Sequence, residues 1–188
     1  MARVWKLASV VALAFWCGSG AVAQSVQAPP RRSGPANALA IPRYSADVFL
    51  GRNHMRISYG APSMRGREVM GKLVPYGKWW RTGADAPTLL EATSPIMIGS
   101  LHLPAGSYML VTLPAEDDWQ LGVSTRLGPL AKMPSDAKDF RTVPMKKRPA
   151  VAPRERMTMG FETNAAHELE LHLKWELTDV YVPIAFDL

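Results

Sequence analysis

The chain predicts an all-β protein: a single antiparallel β-sandwich, jelly-roll-like or a partly open barrel, with about eight to nine strands. Three observations carry that expectation. Apolar side chains recur at every second position over many short runs. Turns bearing proline or glycine separate those runs. No stretch of the expected domain carries an apolar stripe at helical spacing.

At the N-terminus, Arg3 and Lys6 precede an apolar run from Leu7 to Trp16, and Ala21-Val22-Ala23 supplies small residues for cleavage. That order predicts a secretory signal peptide over residues 1–23 and a periplasmic or secreted protein. A membrane-spanning helix needs about 18 or more apolar residues, and Gly18, Ser19 and Gly20 interrupt the run too soon. Cys17 does not suit lipid attachment, because the bulky Phe15 and Trp16 stand just before it. Cleavage after Ala23 removes the single cysteine. No disulfide, thiolate nucleophile or cysteine-ligated metal is then expected in the remaining ~165 residues, enough for one domain. The net charge of +6 falls to about +4 without Arg3 and Lys6. That balance favours anionic partners; nucleic acid and stable membrane insertion are not expected of an exported chain.

Residues 24–43 mix Pro, Ala, Gly and Ser without an apolar period and predict a flexible linker ahead of a domain over 44–188. Extended segments follow at 54–60, 88–93 and 96–103, the last with a kink at Gly99. Residues 107–113 and 119–125 predict one hairpin around the turn Pro114–Asp118. The segment 127–154 is longer than a passive connection, and predicts either an edge strand near Phe140–Met145 or a mobile flap. Met157, Met159 and Phe161 alternate, turn through Thr163–Ala166, and meet the clearest strand of all, residues 167–177. There Leu169, Leu171, Leu173, Trp175 and Leu177 take one face, while Glu170, His172, Lys174 and Glu176 take the other. His172 is thus expected on the solvent side. A last strand over 180–186 contains Pro183, which predicts an edge or a bulge.

Three motifs punctuate the first half: Pro62-Ser63-Met64-Arg65-Gly66-Arg67, then Val74 to Ala84 reading VPYGKWWRTGA, then Ala105-Gly106-Ser107-Tyr108. On these the chain, from about Tyr44 onward, resembles a bacterial family of exported proteins known only as a domain of unknown function. The resemblance implies an exported β-domain and brings no reaction with it.

The block KWWRTGADAP concentrates the candidate chemistry. An arginine head can stack on an indole and still offer its fork of donors to a carboxylate or phosphate. Gly83 permits a positive φ and Pro87 extends Ala86, so the block predicts a stiff turn presenting Arg81, Thr82 and Asp85 together. With Trp80, and with Arg67, Tyr59 and Tyr76 as companions and walls, these form the candidate ligand-binding set. The structural reading of the same residues is an internal Arg81–Asp85 pair, or Arg81 paired to another carboxylate, that fixes the turn while both tryptophans fill the core.

Other signals are weaker. Gly66 to Leu73 mimics a phosphate-binding loop, but Leu73 replaces the Ser or Thr that would bind magnesium and no parallel α/β unit surrounds it. The four histidines show no metal-binding spacing, so no metal or cofactor is expected. No G-x-S-x-G elbow is present. Asp117 and Asp118 are ordinary turn residues, and the basic run around Lys146–Arg148 reads as a solvated face.

Three functional readings follow. The leading one is a non-catalytic binding or envelope-interaction module for a small polar or anionic ligand. The second is a hydrolase or lyase with Asp85 as base and Arg81 steadying negative charge. The third is a purely structural domain.

Overall fold

A computed structural model describes residues 31–33, 41–125 and 140–187. The expected signal peptide, most of the linker and residues 126–139 of the irregular segment lie outside that range. The described residues hold β1 (Arg31–Ser33), β2 (Arg43–Leu50), β3 (Asn53–Gly60), β4 (Thr88–Ala92), β5 (Ile96–Ile98) and β6 (Leu101–Leu103). They continue with β7 (Gly106–Leu113), β8 (Gln120–Ser124), β9 (Arg141–Pro144), β10 (Lys146–Thr163) and β11 (Leu169–Phe186). None of them forms a helix long and apolar enough to cross a membrane.

Two antiparallel sheets result. One runs β1-β2-β3-β4-β7-β8-β9 and the other β10-β11-β5-β6. Both keep free edges, so the architecture is a sandwich and not a closed barrel. Alternation places Met55, Ile57 and Tyr59 of β3, Leu90 of β4, Leu121 and Val123 of β8, and Leu171 and Leu173 of β11 in one core between the sheets. Each large apolar side chain so buried contributes about 1.5–3 kcal/mol. A second, smaller cluster of Met109, Val111 and Phe140 sits apart, with Trp79 packed on it.

Most extended segments appear where alternation predicts them, with informative differences. Residues 96–103 are not one kinked strand. Gly99, at φ 55°, turns the chain back on itself, and Ile96 pairs with Leu103 in a tight hairpin. Within the expected linker, Arg31–Ser33 pair with β2 as an edge strand. The stretch around Phe140–Met145 does contain an edge strand, β9, lying beside β8. Residues 146–154 belong to β10 and not to a loop.

The largest departure lies in β11, where the expected strands 167–177 and 180–186 are one continuous element. Before Glu176 the odd-numbered residues face the core; after it the buried apolar residues are Val180, Val182 and Ile184. Glu176 adopts φ 54°, and this left-handed step inverts the alternation. Leu177, expected inside, therefore faces out and is 59% exposed. The ladder is disrupted in step: β10 advances nine residues from Pro149 to Thr158 while β11 advances four from Lys174 to Thr178. The ladder shifts register on either side of the Arg154–Glu176 pair, and Val151 to Arg156 are exposed. Pro183 falls beyond the last β10 partner, Tyr181, at a place where no N–H toward β10 is needed.

The inverted parity gives a direct test. Leu177→Ser should change unfolding free energy by no more than about 0.5 kcal/mol, whereas Leu173→Ala should cost about 2–5 kcal/mol. Urea titration of both variants measures the difference.

Candidate functional site

Residues 61–87 connect β3 to β4 as a chain of turns and isolated bridges. Trp80 donates its N–H to the Thr112 carbonyl oxygen at 2.7 Å and accepts from the Thr112 N–H at 2.8 Å. It thus takes the place beside β7 that β4 vacates beyond the Thr88–Leu110 pair. Extended backbone sends neighbouring side chains to opposite faces, so the two tryptophans diverge. Trp79 packs against Phe140 with ring centroids 5.3 Å apart. Trp80 turns inward and stacks on Trp175 at 6.0 Å and 22°.

Past Trp80 the chain makes its predicted stiff turn. Thr82 is fully buried at φ 57°; its Oγ1 lies 3.1 Å from Thr112 Oγ1, and its carbonyl accepts from Thr88 Oγ1 at 2.7 Å. The turn rests directly on the β3 backbone: a Cβ on Gly60 would stand 1.9 Å from the Ala84 carbonyl oxygen. Asp85, at φ 63°, is exposed at the tip. Arg81 Nη1 donates to the Asp85 backbone carbonyl at 3.4 Å and not to its carboxylate, so the expected side-chain pair does not form.

A cleft of about 340 Å³ opens beside this turn, lined by Arg67, Trp80, Arg81 and Trp175 together with Pro62 and Leu73. Arg67 reaches it from a separate loop, where its Nε and Nη2 donate to the carbonyls of Met64 and Ser63 at 2.9 and 3.0 Å. Among the described residues neither arginine makes an ion pair. Two guanidiniums with donors to spare thus flank an indole pair, an arrangement that suits an anion attached to a flat group.

Three of the seven candidate residues, Arg67, Trp80 and Arg81, meet in the cleft; the other four do not. Thr82 is consumed by internal bonds. Asp85 is exposed and is not among the residues that line the cleft. Tyr59 is fully buried opposite Tyr44, and burial pushes its hydroxyl pKa up. Tyr76 lies against Gly71, with its pKa raised by burial and then by Glu116 and Glu176. A larger cleft of about 580 Å³ around Phe49 and Phe186 includes none of the seven.

Sequence reasoning missed Trp175 and Glu176. Trp175 reads as one more core residue in an alternating strand. Glu176 reads as solvent-facing, yet its carboxylate accepts from the amides of Val69 and Met70 at 3.3 and 3.0 Å. The segment that mimics a phosphate loop does cradle an anion with its backbone, and that anion is internal.

A second polar constellation lies on β10 and β11. His172, expected on the solvent side, is 1% exposed. Its Nδ1 lies 2.7 Å from Asp179 Oδ1 and its Nε2 lies 3.0 Å from Glu170 Oε2. Arg148 donates to Asp179 at 2.8 Å and to Glu162 at 3.3 Å, and Lys174 also bonds Glu162. Tyr181 stacks on the His172 ring at 5.0 Å. Burial alone would raise the Asp179 pKa, but hydrogen bonds from His172 and Arg148 outweigh it and hold the carboxyl below its ordinary value. Among the described residues no group of three or more His, Cys, Asp or Glu is arranged to hold a metal.

Fold and site together define an antiparallel β-sandwich with an aromatic–arginine cleft beside the β3–β4 connection. The chain belongs to the family described as Protein of unknown function (DUF2911), a model of which matches residues 42–184. No curated protein and no solved structure matches the chain.

Two outcomes follow from this geometry. Gly60→Ala should destabilise by about 3 kcal/mol, because backbone and not a pliable side chain blocks the new Cβ; Gly51→Ala, where nothing stands within 4 Å, should cost only about 1 kcal/mol, for its positive φ. Thermal unfolding separates them. A depressed carboxyl pKa contributes stability above the unfolded value, near 3.8, that is lost as pH falls through the lower folded value. Stability below about pH 4 should therefore fall more steeply in the parent than in Asp179→Asn, as read by urea midpoints.

Proposed function

We propose that this protein is an exported, non-catalytic binding module that takes up a small anionic ligand in the Trp80–Trp175 cleft. The observation that carries the reading is the pair of arginines, Arg67 and Arg81, flanking a partly open indole without any ion-pair partner among the described residues. Arginines beside acidic neighbours are usually neutralised by them; here the fork of each is steadied by backbone carbonyls and keeps donors free for a carboxylate or phosphate. Trp80 adds a flat apolar face, so a ring bearing the anionic group suits the cleft better than a bare ion. Its volume of about 340 Å³ lies at the lower end of the range for small-molecule sites.

Export to the periplasm or beyond is the reading of the Arg3–Ala23 sequence and belongs to the same proposal. Neither nucleic acid nor a membrane-embedded state forms part of it. A hydrolase or lyase built on Asp85 draws no support from an exposed tip outside the cleft. A purely structural role accounts for Thr82 and Trp79, but not for a cleft with two uncommitted cations.

Titration calorimetry with benzoate, acetate and inorganic phosphate tests the reading. Benzoate should bind about tenfold more tightly than acetate, and Trp80→Ala or Arg81→Ala should each weaken benzoate by about tenfold, or 1.4 kcal/mol. Asp85→Asn should leave it unchanged. Folded Trp80→Ala and Arg81→Ala variants that bind benzoate like the parent would remove the site assignment.

A further inference from the structure

His172 and Asp179 are seven residues apart on β11 yet touch at 2.7 Å. A fully extended strand, rising about 3.3 Å per residue, would hold them more than 20 Å apart. The strand therefore doubles back, and the residues inside the doubled stretch include Trp175, which lines the cleft, and Glu176, the clamp on the Val69–Met70 amides. We infer that Glu170, His172 and Asp179 form a proton-operated lock on this bend, which keeps the cleft in shape only while the His172 ring carries both of its protons.

The geometry makes the case. Both ring nitrogens face carboxylate oxygens, and ionised carboxylates only accept, so both contacts are hydrogen bonds only if the ring donates twice. The charged groups around the ring are Arg148 and Glu162 from β10, and Glu170, Lys174 and Asp179 from β11; the remaining titratable neighbour is Tyr181, stacked on its face. Asn164 adds a neutral donor to Glu170 at 3.1 Å. With His172 protonated, three cations meet three carboxylates. Without that proton one negative charge is left uncompensated among side chains only 2%, 6% and 7% exposed, at His172, Asp179 and Glu170. The bend is where that cost is relieved, since opening it separates His172 from Asp179 and lets water in. Opening it also moves Trp175 away from Trp80 and releases the loop that carries Arg67.

The lock is testable without any ligand; only its consequence for binding rests on the ligand reading above. In the parent chain, an NMR pH series should show the Val69 and Met70 amides and the Trp175 indole N–H shifting at the pH where the His172 ring loses its second proton. Exchange of those two amides, corrected for its intrinsic pH dependence, should rise about tenfold at the high-pH end. His172→Gln should show the open state throughout, whereas His102→Gln, at an exposed pair with Asp187, should keep the parent's transition. Titration of His172 without change at Val69, Met70 and Trp175 would overturn the lock, as would a transition surviving in folded His172→Gln. If that variant does not fold, the parent titration alone decides. Benzoate should bind about fivefold more weakly at high pH. Absence of benzoate binding at both ends, with the amide transition present, leaves the lock standing and removes the ligand reading.

Discussion

One dislocation in β11 sets the rest of the structure: the left-handed backbone at Glu176. A strand that simply alternated would bury Leu177 and expose everything on the other face. Instead the step exchanges the two faces, so Leu171, Leu173 and Trp175 fill the core before it and Val180, Val182 and Ile184 after it. The same step lets the strand bend, which β10 accommodates with a register shift on each side of Arg154. A non-glycine residue in this conformation is strained. Its side chain offsets part of that strain by accepting two backbone N–H groups from the neighbouring loop. The bulge is thus both a bend and an anchor.

The cleft depends on that anchor and on a second close contact, the turn after Trp80 resting on Gly60. Between them they decide which polar groups are free. Thr82, Thr88 and Thr112 satisfy one another and the backbone inside the protein. The amides of Val69 and Met70 are taken by Glu176. What remains uncommitted at the cleft is cationic. A guanidinium offers five N–H donors, and carbonyl contacts at 2.9 to 3.4 Å engage only some of them on Arg67 and Arg81. Carbonyls fix direction without neutralising charge, which is why these arginines differ from Arg148, whose fork is met by Asp179 and Glu162.

Burying charge is expensive, and the protein confines it to a set of groups that nearly cancel. Removing one member of such a set is costlier than never having built it, because the partners stay buried. Asp179 shows the balance in one residue: desolvation pushes its pKa up, and the hydrogen bonds of His172 and Arg148 bring it down further. The network occupies the inside of the bend, so its electrostatics act on the geometry of the strand and not on an exposed face.

How much of this was legible beforehand divides along physical lines. Period-two alternation is local, and it sufficed for the all-β class, for the hairpin of residues 107–125 and for the inward face of Leu171 to Trp175. Turn chemistry is local too: the A-G-x-Y motif closes as Tyr108 Oη donates to the Pro104 carbonyl, and the stiff turn after Trp80 forms with Thr82 and Asp85 at positive φ. Pattern alone could also mark Arg67, Trp80 and Arg81 as worth watching. It could not say that Trp79 and Trp80 part company, that Asp85 stays outside the cleft lining, or that His172 is interior. Those outcomes rest on the two register shifts of the β10–β11 ladder and on contacts between residues about a hundred positions apart, such as Val69 with Glu176. One shifted residue reverses every side chain that follows, and no neighbour in the sequence records that it has happened.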